Sequence, residues 1–421
     1  MIAPLLAIGA VCAQTPIVFV HGNGDDATKW LPVIWMFESN GYPADRLFAI
    51  RFTDPSARSD DRKPEAFHSS TTDAASELAG FVARVLLETK SAKVALVGSS
   101  RGGMTIRNYI KNAGGAAVVS HAILCGTPNH GVAAIDTNLD NEFNGKGHFL
   151  RQLNEGSEVV EGVRFMTIRS DNMDKYARPN VGFAAPELKG AENVVLEGLD
   201  HREVAFHPLA FAKTYRFITG QEPKTMTAVA TPGDVEVSGL VTGFAAAAAT
   251  NRPLGGLRFQ VFALKPGSAD REGDALADTV TEESGAWGPL RVQANREYEF
   301  VLEKDGRSVT YFMTGLLRST TLLNFRYWPS WMETTLSEQP VTGPRVVVHR
   351  PQGYLAKGRD PILMDGAEVE GIPPGVPSRD SHLVRLPEAR KAVRIQLRGE
   401  VLFVRPAERA GDISLAELIW D

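Results

Sequence analysis

Two patterns of hydrophobic spacing divide the chain near residue 222. Up to about Gly220, short apolar runs alternate with stretches whose apolar residues recur every three or four positions, which predicts alternating strands and helices around a mostly parallel sheet. The predicted strands are Ile17–Val20, Leu47–Phe52, Val94–Val97, Ala122–Cys125, Arg164–Ile168 and Asn193–Glu197. The predicted helices are Thr72–Glu88, with its N-cap in Thr71–Asp73, Gly103–Asn112 and Ala205–Ile218. This half therefore predicts an α/β domain over residues 14–222.

The second half lacks helical spacing. Alternating apolar and polar residues between Gly, Pro and Asp turns predict strands at Val235–Val241, Leu257–Leu264, Tyr298–Glu303, Ser308–Met313, Arg345–His349 and Val393–Leu397. The pattern predicts a β-sandwich or β-barrel region. We expect a unit at 225–318 and a second β-rich unit at 319–421, joined to the first half by the linker Thr225–Gly233.

The first residues have the character of an export signal. Met1–Ala13 is an apolar run that ends in small residues, so residues 1–13 are predicted to be a secretory signal and the mature chain to be secreted or periplasmic. An N-terminal strand or tail is the alternative. Cleavage after Ala13 would leave Cys125 as the one cysteine, and its apolar surroundings predict a buried, inert thiol.

Composition and charge argue against some kinds of binding partner. Hydrophobic residues make up 43% of the chain and charged residues 23%, as in ordinary globular proteins. The formal net charge is −5 and no basic block alternates with aromatic residues, which argues against nucleic-acid binding. Apart from the signal, no stretch reaches the roughly 18 to 20 apolar residues that a transmembrane helix needs.

The sharpest chemical signal is Gly98-Ser99-Ser100-Arg101-Gly102, between a predicted strand and a predicted helix. A G-x-S-x-G sequence at such a turn holds its serine in a strained, exposed conformation, and the two glycines let helix and strand approach closely. A phosphate-binding loop is the competing interpretation, but its Lys-Ser/Thr ending and a partner aspartate for magnesium are missing. Ser100 is therefore the predicted nucleophile.

A serine hydroxyl needs a base that accepts its proton. His201 follows the last predicted strand and precedes the last helix, where a loop residue can reach the top of the sheet. His207 lies inside the helical stretch beside Pro208, which suits a packed or surface histidine better. We therefore predict that His201 is the general base.

The base needs an acid that fixes its tautomer and stabilises the imidazolium ion. Two aspartates compete in the loop that follows the strand Arg164–Ile168. Asp174 is favoured because semi-apolar positions and Pro179 follow it, as is common in acid loops. Asp171 is better placed to order the turn and stays the alternative.

Two backbone N–H groups are predicted to stabilise the oxyanion. Asn23 lies in His21-Gly22-Asn23-Gly24, directly after the first strand, and Arg101 is the residue after the nucleophile. His21 precedes Ser100 in the chain, whereas this order of elements puts the base last. We therefore expect His21 to shape the loop by hydrogen bonding.

Four segments together resemble bacterial and archaeal lipases of the α/β-hydrolase superfamily: Val20–Gly24, Gly98–Gly102, Cys125–Gly131 and Gly198–His201. The Gly-Thr-Pro-Asn-His-Gly stretch within the third is typical of secreted lipases. The resemblance implies an α/β-hydrolase fold and a triad in the order Ser100, Asp174, His201. The β-rich second half is similar in layout to an archaeal carboxylesterase/lipase type with a lipid-binding β-barrel. Arg101 departs from the Met, Gln or His of many lipases, which bears on specificity.

Such a site predicts a serine esterase or lipase that forms an acyl-enzyme and needs neither metal nor organic cofactor. The expected partner is an ester or lipid, met at an oil–water or polymer surface. One alternative is an extracellular polyester depolymerase, which would dock through exposed aromatic residues. The candidates are Trp287, Tyr327, Trp328 and Trp331. A second alternative is a non-catalytic binding protein on a hydrolase scaffold.

The region His130–Asn154 allows two interpretations. Its aromatic and leucine residues among polar ones suit either a mobile cover over the site or a plain connecting helix. It also contains His130, Asp136, Asp140 and Glu142, whose spacing does not match a metal site. We interpret these side chains as solvated loop charges.

Overall fold

The computed structural model describes residues 14–177, 186–337 and 341–420. The predicted export signal, residues 1–13, lies outside this range, and so does Pro179 at the end of the predicted acid loop. None of the helices in the described part of the chain is long and apolar enough to cross a bilayer.

A parallel sheet forms the centre of the first half. Its strands are β1 (Ile17–Val20), β2 (Leu47–Ile50), β3 (Val94–Ser99), β4 (Val119–Cys125), β5 (Arg164–Arg169) and β6 (Glu192–Val195). They lie in the order β2-β1-β3-β4-β5-β6, with every neighbouring pair parallel. β1, β3 and most of β4 are buried, as expected for strands covered on both faces. The predicted α/β-hydrolase fold is thus confirmed.

Helices cover this sheet. They are α1 (Leu31–Ser39), α2 (Thr71–Thr89), α3 (Arg101–Asn112), α4 (His148–Asn154), α5 (Glu203–Phe206) and α6 (Pro208–Thr219). The predicted helix Ala205–Ile218 is interrupted, because Pro208 lacks the N–H that a continuous helix needs and His207 instead caps α6. The predicted cap of α2 was also displaced: Ser70 is the N-cap and Asp73 completes a capping box.

The second half is rich in β-structure, as predicted. Its strands are β7 (Asp234–Ala245), β8 (Ala248–Pro253), β9 (Arg258–Ala263), β10 (Ala277–Val280), β11 (Ala286–Gln293), β12 (Tyr298–Lys304), β13 (Arg307–Met313), β14 (Thr320–Arg326), β15 (Arg345–His349), β16 (Ile362–Met364), β17 (Ala367–Glu368), β18 (Ser381–Arg385), β19 (Val393–Leu397), β20 (Glu400–Val404) and β21 (Ile413–Glu417). A short helix that the pattern did not predict, α7 (Trp331–Ser337), lies between β14 and β15.

Strands from both sides of Arg318 share sheets. One sheet has the order β10-β9-β12-β13-β21-β15-β18, and a second contains β11-β7-β14 with β8 paired to β7. Aromatic rings from both, Phe259 and Phe300 on the first and Trp287 and Phe325 on the second, pack against one another as in a β-sandwich. A third sheet, β17-β16-β19-β20, packs apolar residues such as Ile362 and Ile395 against Phe312 and Val346 of the first sheet. The predicted units 225–318 and 319–421 are therefore interleaved.

The two halves also pack directly against each other. One hydrophobic core cluster contains residues of both, from Phe19 and Trp30 to Phe259 and Leu415. Arg326, at the end of β14, donates hydrogen bonds to the carbonyl oxygens of Gly24 (2.7 Å) and Asp25 (3.0 Å), which lie in the loop after β1. The β-rich region therefore contacts the edge of the sheet at which the predicted site residues lie.

Candidate active site

Ser100 occupies a strained turn between β3 and α3. Its φ of 53° and ψ of −120° are unfavourable for a residue with a side chain and cost about 1–3 kcal/mol. The flanking glycines make the turn possible. A Cβ on Gly98 would lie 2.7 Å from the amide nitrogen of Gly103, and a Cβ on Gly102 would overlap the carbonyl oxygen of Val20. The geometry is that of a nucleophile elbow.

The three predicted triad side chains are in contact. The Nε2 atom of His201 lies 2.9 Å from the Oγ atom of Ser100. The Nδ1 atom of His201 lies 2.9 Å from Oδ1 and 3.0 Å from Oδ2 of Asp174. His201 is 4% exposed and Asp174 is fully buried, so the carboxylate and the imidazole interact with little competition from water.

Asp171 lies in the same loop but makes no hydrogen bond to the histidine within the part of the chain that the structure describes. Its Oδ1 atom accepts hydrogen bonds from the hydroxyl of Ser170 (3.0 Å) and the backbone N–H groups of Met173 (3.2 Å) and Gly198 (3.3 Å). These contacts order the turn, the role that the sequence suggested for it. Of the two candidate acids, the structure brings only Asp174 to His201.

The two predicted oxyanion donors flank the serine. Arg101 is the first residue of α3, where backbone N–H groups have no carbonyl partner within the helix. Asn23 lines the same pocket as Ser100, and its side-chain Oδ1 accepts a hydrogen bond of 2.7 Å from the N–H of Ala57, which holds the loop. Both N–H groups therefore belong to segments that meet at the nucleophile.

His21 supports this loop. Its ring is 1% exposed, its Nδ1 atom lies 3.0 Å from the carbonyl oxygen of Gly22, and its Nε2 atom accepts a hydrogen bond of 3.1 Å from the N–H of Phe52. Burial lowers the pKa of His21 to about 4, so the ring is neutral at pH 7. The loop-shaping role predicted for His21 agrees with these contacts.

The pocket around Ser100 has a volume of about 170 Å³. Its apolar wall consists of Pro128, Val132, Phe143, Tyr176 and Tyr354. The rings of Tyr176 and Tyr354 both lie near His201, with centroids at 4.8 Å and 6.5 Å from its ring. An apolar pocket beside a hydrogen-bonded serine and histidine suits a substrate with an uncharged carbonyl group.

The region His130–Asn154 is not a single connecting helix. Helix α4 occupies only its end, and irregular chain before α4 brings Val132 and Phe143 to the pocket wall. Glu142, at 2% exposure, holds this segment to the side chain of Arg101 through two hydrogen bonds of 2.6 and 3.0 Å. Arg101 therefore directs its side chain away from the pocket and anchors the segment there.

The other charged residues of this region are also paired. His130 contacts Glu158 at 2.8 Å, Asp136 pairs with Lys146, and Asp140 pairs with Arg62. No group of three or more metal-ligating side chains occurs among the residues that the structure describes. The interpretation of these side chains as solvated loop charges is therefore wrong for Glu142, which is a buried ion-pair partner of Arg101.

Two site residues were missed by the sequence analysis. Tyr354 comes from the segment after β15, and Arg202, next to the predicted base, has its guanidinium 4.9 Å from the Tyr354 ring centroid. Neither residue belongs to a motif, and no local pattern marks Tyr354, because it reaches the pocket only through the packing of the two halves. The only signal was the position of Arg202 beside His201.

Two of the four aromatic candidates for surface docking are internal. Trp287 is 5% and Trp328 7% exposed, whereas Trp331 is 41% exposed. The first two pack in the β-rich core. Cys125 is also fully buried, and burial raises the pKa of its thiol, which confirms the prediction of a buried, inert side chain.

Solved structures with a similar course of the chain include hydrolases. Lipase B of Aspergillus fumigatus is 19% identical with a TM-score of 0.40, over 53% of this chain and 56% of that chain. The mature lipase BlEst2 of Bacillus licheniformis is 18% identical with a TM-score of 0.38, over 49% of this chain and 93% of that chain. The naproxen esterase of Bacillus subtilis is 14% identical with a TM-score of 0.31, over 48% and 83%. The chain thus spans little more than half of the fungal lipase.

Two family models match separate parts of the sequence. Residues 14–134, which include the oxyanion loop, the elbow and the segment Gly126–Gly131, match class 2 lipases. Residues 233–328, which form strands β7 to β14, match the lipase C-terminal domain. The chain therefore carries a region similar to class 2 lipases, followed by a region similar to the lipase C-terminal domain.

Proposed function

We propose that this chain hydrolyses lipid-like carboxylic esters through a Ser100–His201–Asp174 triad and an acyl-enzyme intermediate. The observation that carries the proposal is the continuous hydrogen-bonded path from the Ser100 hydroxyl to the Asp174 carboxylate, with distances of 2.9 Å on both sides of the imidazole. Such a path lets the imidazole take the proton of the hydroxyl while the carboxylate stabilises the resulting imidazolium.

In the first step, the Oγ atom of Ser100 attacks the ester carbonyl carbon as its proton passes to Nε2 of His201. The backbone N–H groups of Asn23 and Arg101 stabilise the charge that develops on the carbonyl oxygen. The imidazolium then gives its proton to the departing alcohol, which leaves the acyl group on Ser100. In the second step, His201 activates a water molecule that attacks the acyl-enzyme, and the acid and the free serine are released.

The choice of substrate rests on the walls of the pocket. They are apolar and aromatic around Ser100, which favours an acyl or alcohol group that is itself apolar. A substrate of this kind, together with the predicted signal at residues 1–13, favours an enzyme that acts after export, in the periplasm or outside the cell. The burial of Trp287 and Trp328 removes two of the four aromatic residues on which the polyester alternative depended.

A chain-length series of p-nitrophenyl esters, assayed with wild type and Ser100→Ala, tests the proposal. We expect Ser100→Ala to lose about a thousandfold or more in kcat and to bind no fluorophosphonate, while wild type is labelled at one site. Ser99→Ala is the matched control, because Ser99 is the adjacent residue of the same turn and is 2% exposed. Labelling of Ser100→Ala, or turnover close to that of wild type, would exclude this mechanism.

A further inference from the structure

A cluster of buried charges lies behind the histidine. Asp200 and Glu203, which bracket His201 and Arg202, are both fully buried. Their carboxylates face guanidinium groups of the β-rich half. Those groups belong to Arg350, which is 2% exposed, and to Arg359 and Arg398, whose side chains are 18% and 29% exposed. Buried Asp360 completes the set, so that three carboxylates are matched by three guanidinium groups.

Asp200 and Glu203, the two carboxylates from the first half of the chain, each accept several hydrogen bonds from the β-rich half. Asp200 Oδ2 accepts hydrogen bonds from the N–H of Tyr354 (2.6 Å) and from Arg359 (3.2 Å). Glu203 Oε1 accepts from Arg350 (2.6 Å) and Arg398 (2.8 Å). Burial raises the pKa of Asp200, with a further contribution from Glu203, whereas the three guanidiniums outweigh burial and lower the pKa of Glu203.

The other side of His201 is held by the same half of the chain. Arg202 donates a hydrogen bond of 3.0 Å to the carbonyl oxygen of Pro351 and pairs with Asp380 at 2.7 Å. The ring of Tyr354 lies nearly parallel to the imidazole, at an interplanar angle of 9°. Residues 200, 202 and 203 therefore all contact the β-rich half, and the histidine lies between them.

We propose that the β-rich half, through Arg350 and its ion cluster, positions the His201 loop and is thus a structural part of the active site. This inference rests on the proposed function, because it assigns a role to the surroundings of the same histidine. Arg350 touches no reacting atom and is a positioning residue. Small displacements of a catalytic group can lower turnover by up to about a hundredfold, so loosening this loop should reduce kcat without weakening the binding of the ester.

The test compares Arg350→Lys with Arg345→Lys. Both arginines are buried, at 2% and 1% exposure; Arg345 is the first residue of β15 and Arg350 directly follows its last. Arg345 pairs with Glu333 and donates to the carbonyl oxygens of Arg409 (2.8 Å) and Asp412 (2.9 Å), far along the strand from the histidine loop. The same substitution therefore removes a buried guanidinium at each end, but only one of the two belongs to the cluster.

Kinetics are measured per active site counted with a fluorophosphonate, so that unfolded protein does not contribute. We expect Arg350→Lys to lower kcat and the rate constant of labelling by about tenfold or more, with KM within about twofold of wild type. Arg345→Lys should keep both rates within about twofold. Arg359→Gln, at a less buried position of the cluster, gives a second measurement should Arg350→Lys fail to fold, and we expect the same kind of loss.

Two outcomes would count against the idea in different ways. If kcat per labelled site is unchanged in both cluster variants, or falls equally in Arg345→Lys, the positioning role is wrong while the triad stands. If Ser100→Ala retains turnover, the proposed function itself is wrong, and the effect of Arg350 on a serine–histidine pair falls with it.

Discussion

Replacing Asp174 by asparagine tests the acid of the site with the smallest change in shape. The Oδ1 atom of Asp174 accepts hydrogen bonds from the N–H groups of Tyr176 (2.7 Å) and Ala177 (2.9 Å), in addition to its contact with His201. In Asp174→Asn these two N–H groups keep the amide oxygen at the Oδ1 position. The amide NH₂ group then occupies the Oδ2 position, 3.0 Å from Nδ1 of His201.

A donor at that place favours the wrong tautomer of the histidine. The amide NH₂ group cannot accept the proton of Nδ1 and competes with the amide oxygen for this ring nitrogen, so the neutral ring shifts toward the tautomer that carries its proton on Nε2, the atom that should accept the proton of Ser100. The loss of the carboxylate also removes the charge that stabilises the imidazolium. Substitutions of this kind lower kcat by about 10⁴-fold, which corresponds to about 5 kcal/mol of transition-state stabilisation.

The assay is steady-state hydrolysis of a p-nitrophenyl ester, with Asp171→Asn as the matched control. Asp171 lies three positions earlier in the same loop and uses one oxygen to accept three hydrogen bonds, which an asparagine oxygen can also accept. We expect Asp171→Asn to keep activity within about tenfold of wild type. An Asp174→Asn protein with more than a tenth of wild-type kcat, or a greater loss in Asp171→Asn, would refute the assignment.

Two further predictions concern stability. Burial lowers the pKa of His21 from its usual 6.5 to about 4 in the folded chain. Between these pH values the unfolded chain binds a proton at His21 and the folded chain does not. The free energy of unfolding therefore falls by up to about 3 kcal/mol as the pH drops from 6.5 to 4. Urea titrations at pH 7 and pH 4 should show a smaller fall for His21→Gln, and an equal fall would contradict the burial argument. Glu142→Gln should lower the free energy of unfolding by about 3–5 kcal/mol, because it leaves the buried Arg101 guanidinium without its carboxylate. The exposed pair of Asp136 and Lys146 provides the control: Asp136→Asn should cost less than about 1 kcal/mol, and similar losses for the two variants would show that burial does not govern the effect.

The parallel sheet was predictable because its strands are short and the central ones, β1, β3 and most of β4, are apolar and buried. Ile17–Val20 agrees with the prediction at both ends, and the remaining strands differ by a few residues. Helix α1 could not be found in the same way. Seven of its nine residues are buried, so it has no polar face, and a helix without one cannot be told from a buried strand by its periodicity.

The site residues that lie in short sequence motifs could be predicted. The elbow depends on glycines within two positions of Ser100, and the position of the base depends on a loop after a strand, so a short stretch of sequence carries both signals. The choice between Asp171 and Asp174 was harder, because both follow the same strand. It depends on which carboxylate the turn directs toward His201, and that direction comes from backbone N–H groups that no motif records.

The charge cluster around Arg350 could not be predicted from the sequence. In the sequence, its six charged residues read as ordinary surface charges, since isolated ones are rarely buried. The burial of the carboxylates is tolerable only because guanidinium groups pair with them: Asp200 and Glu203 meet arginines more than 140 positions away, and Asp360 meets Arg398, 38 positions away. Such a set is assembled only when both halves are folded and docked. A chain that places its proposed general base, His201, beside that contact therefore links the assembly of its β-rich half to the geometry of the Ser100 site.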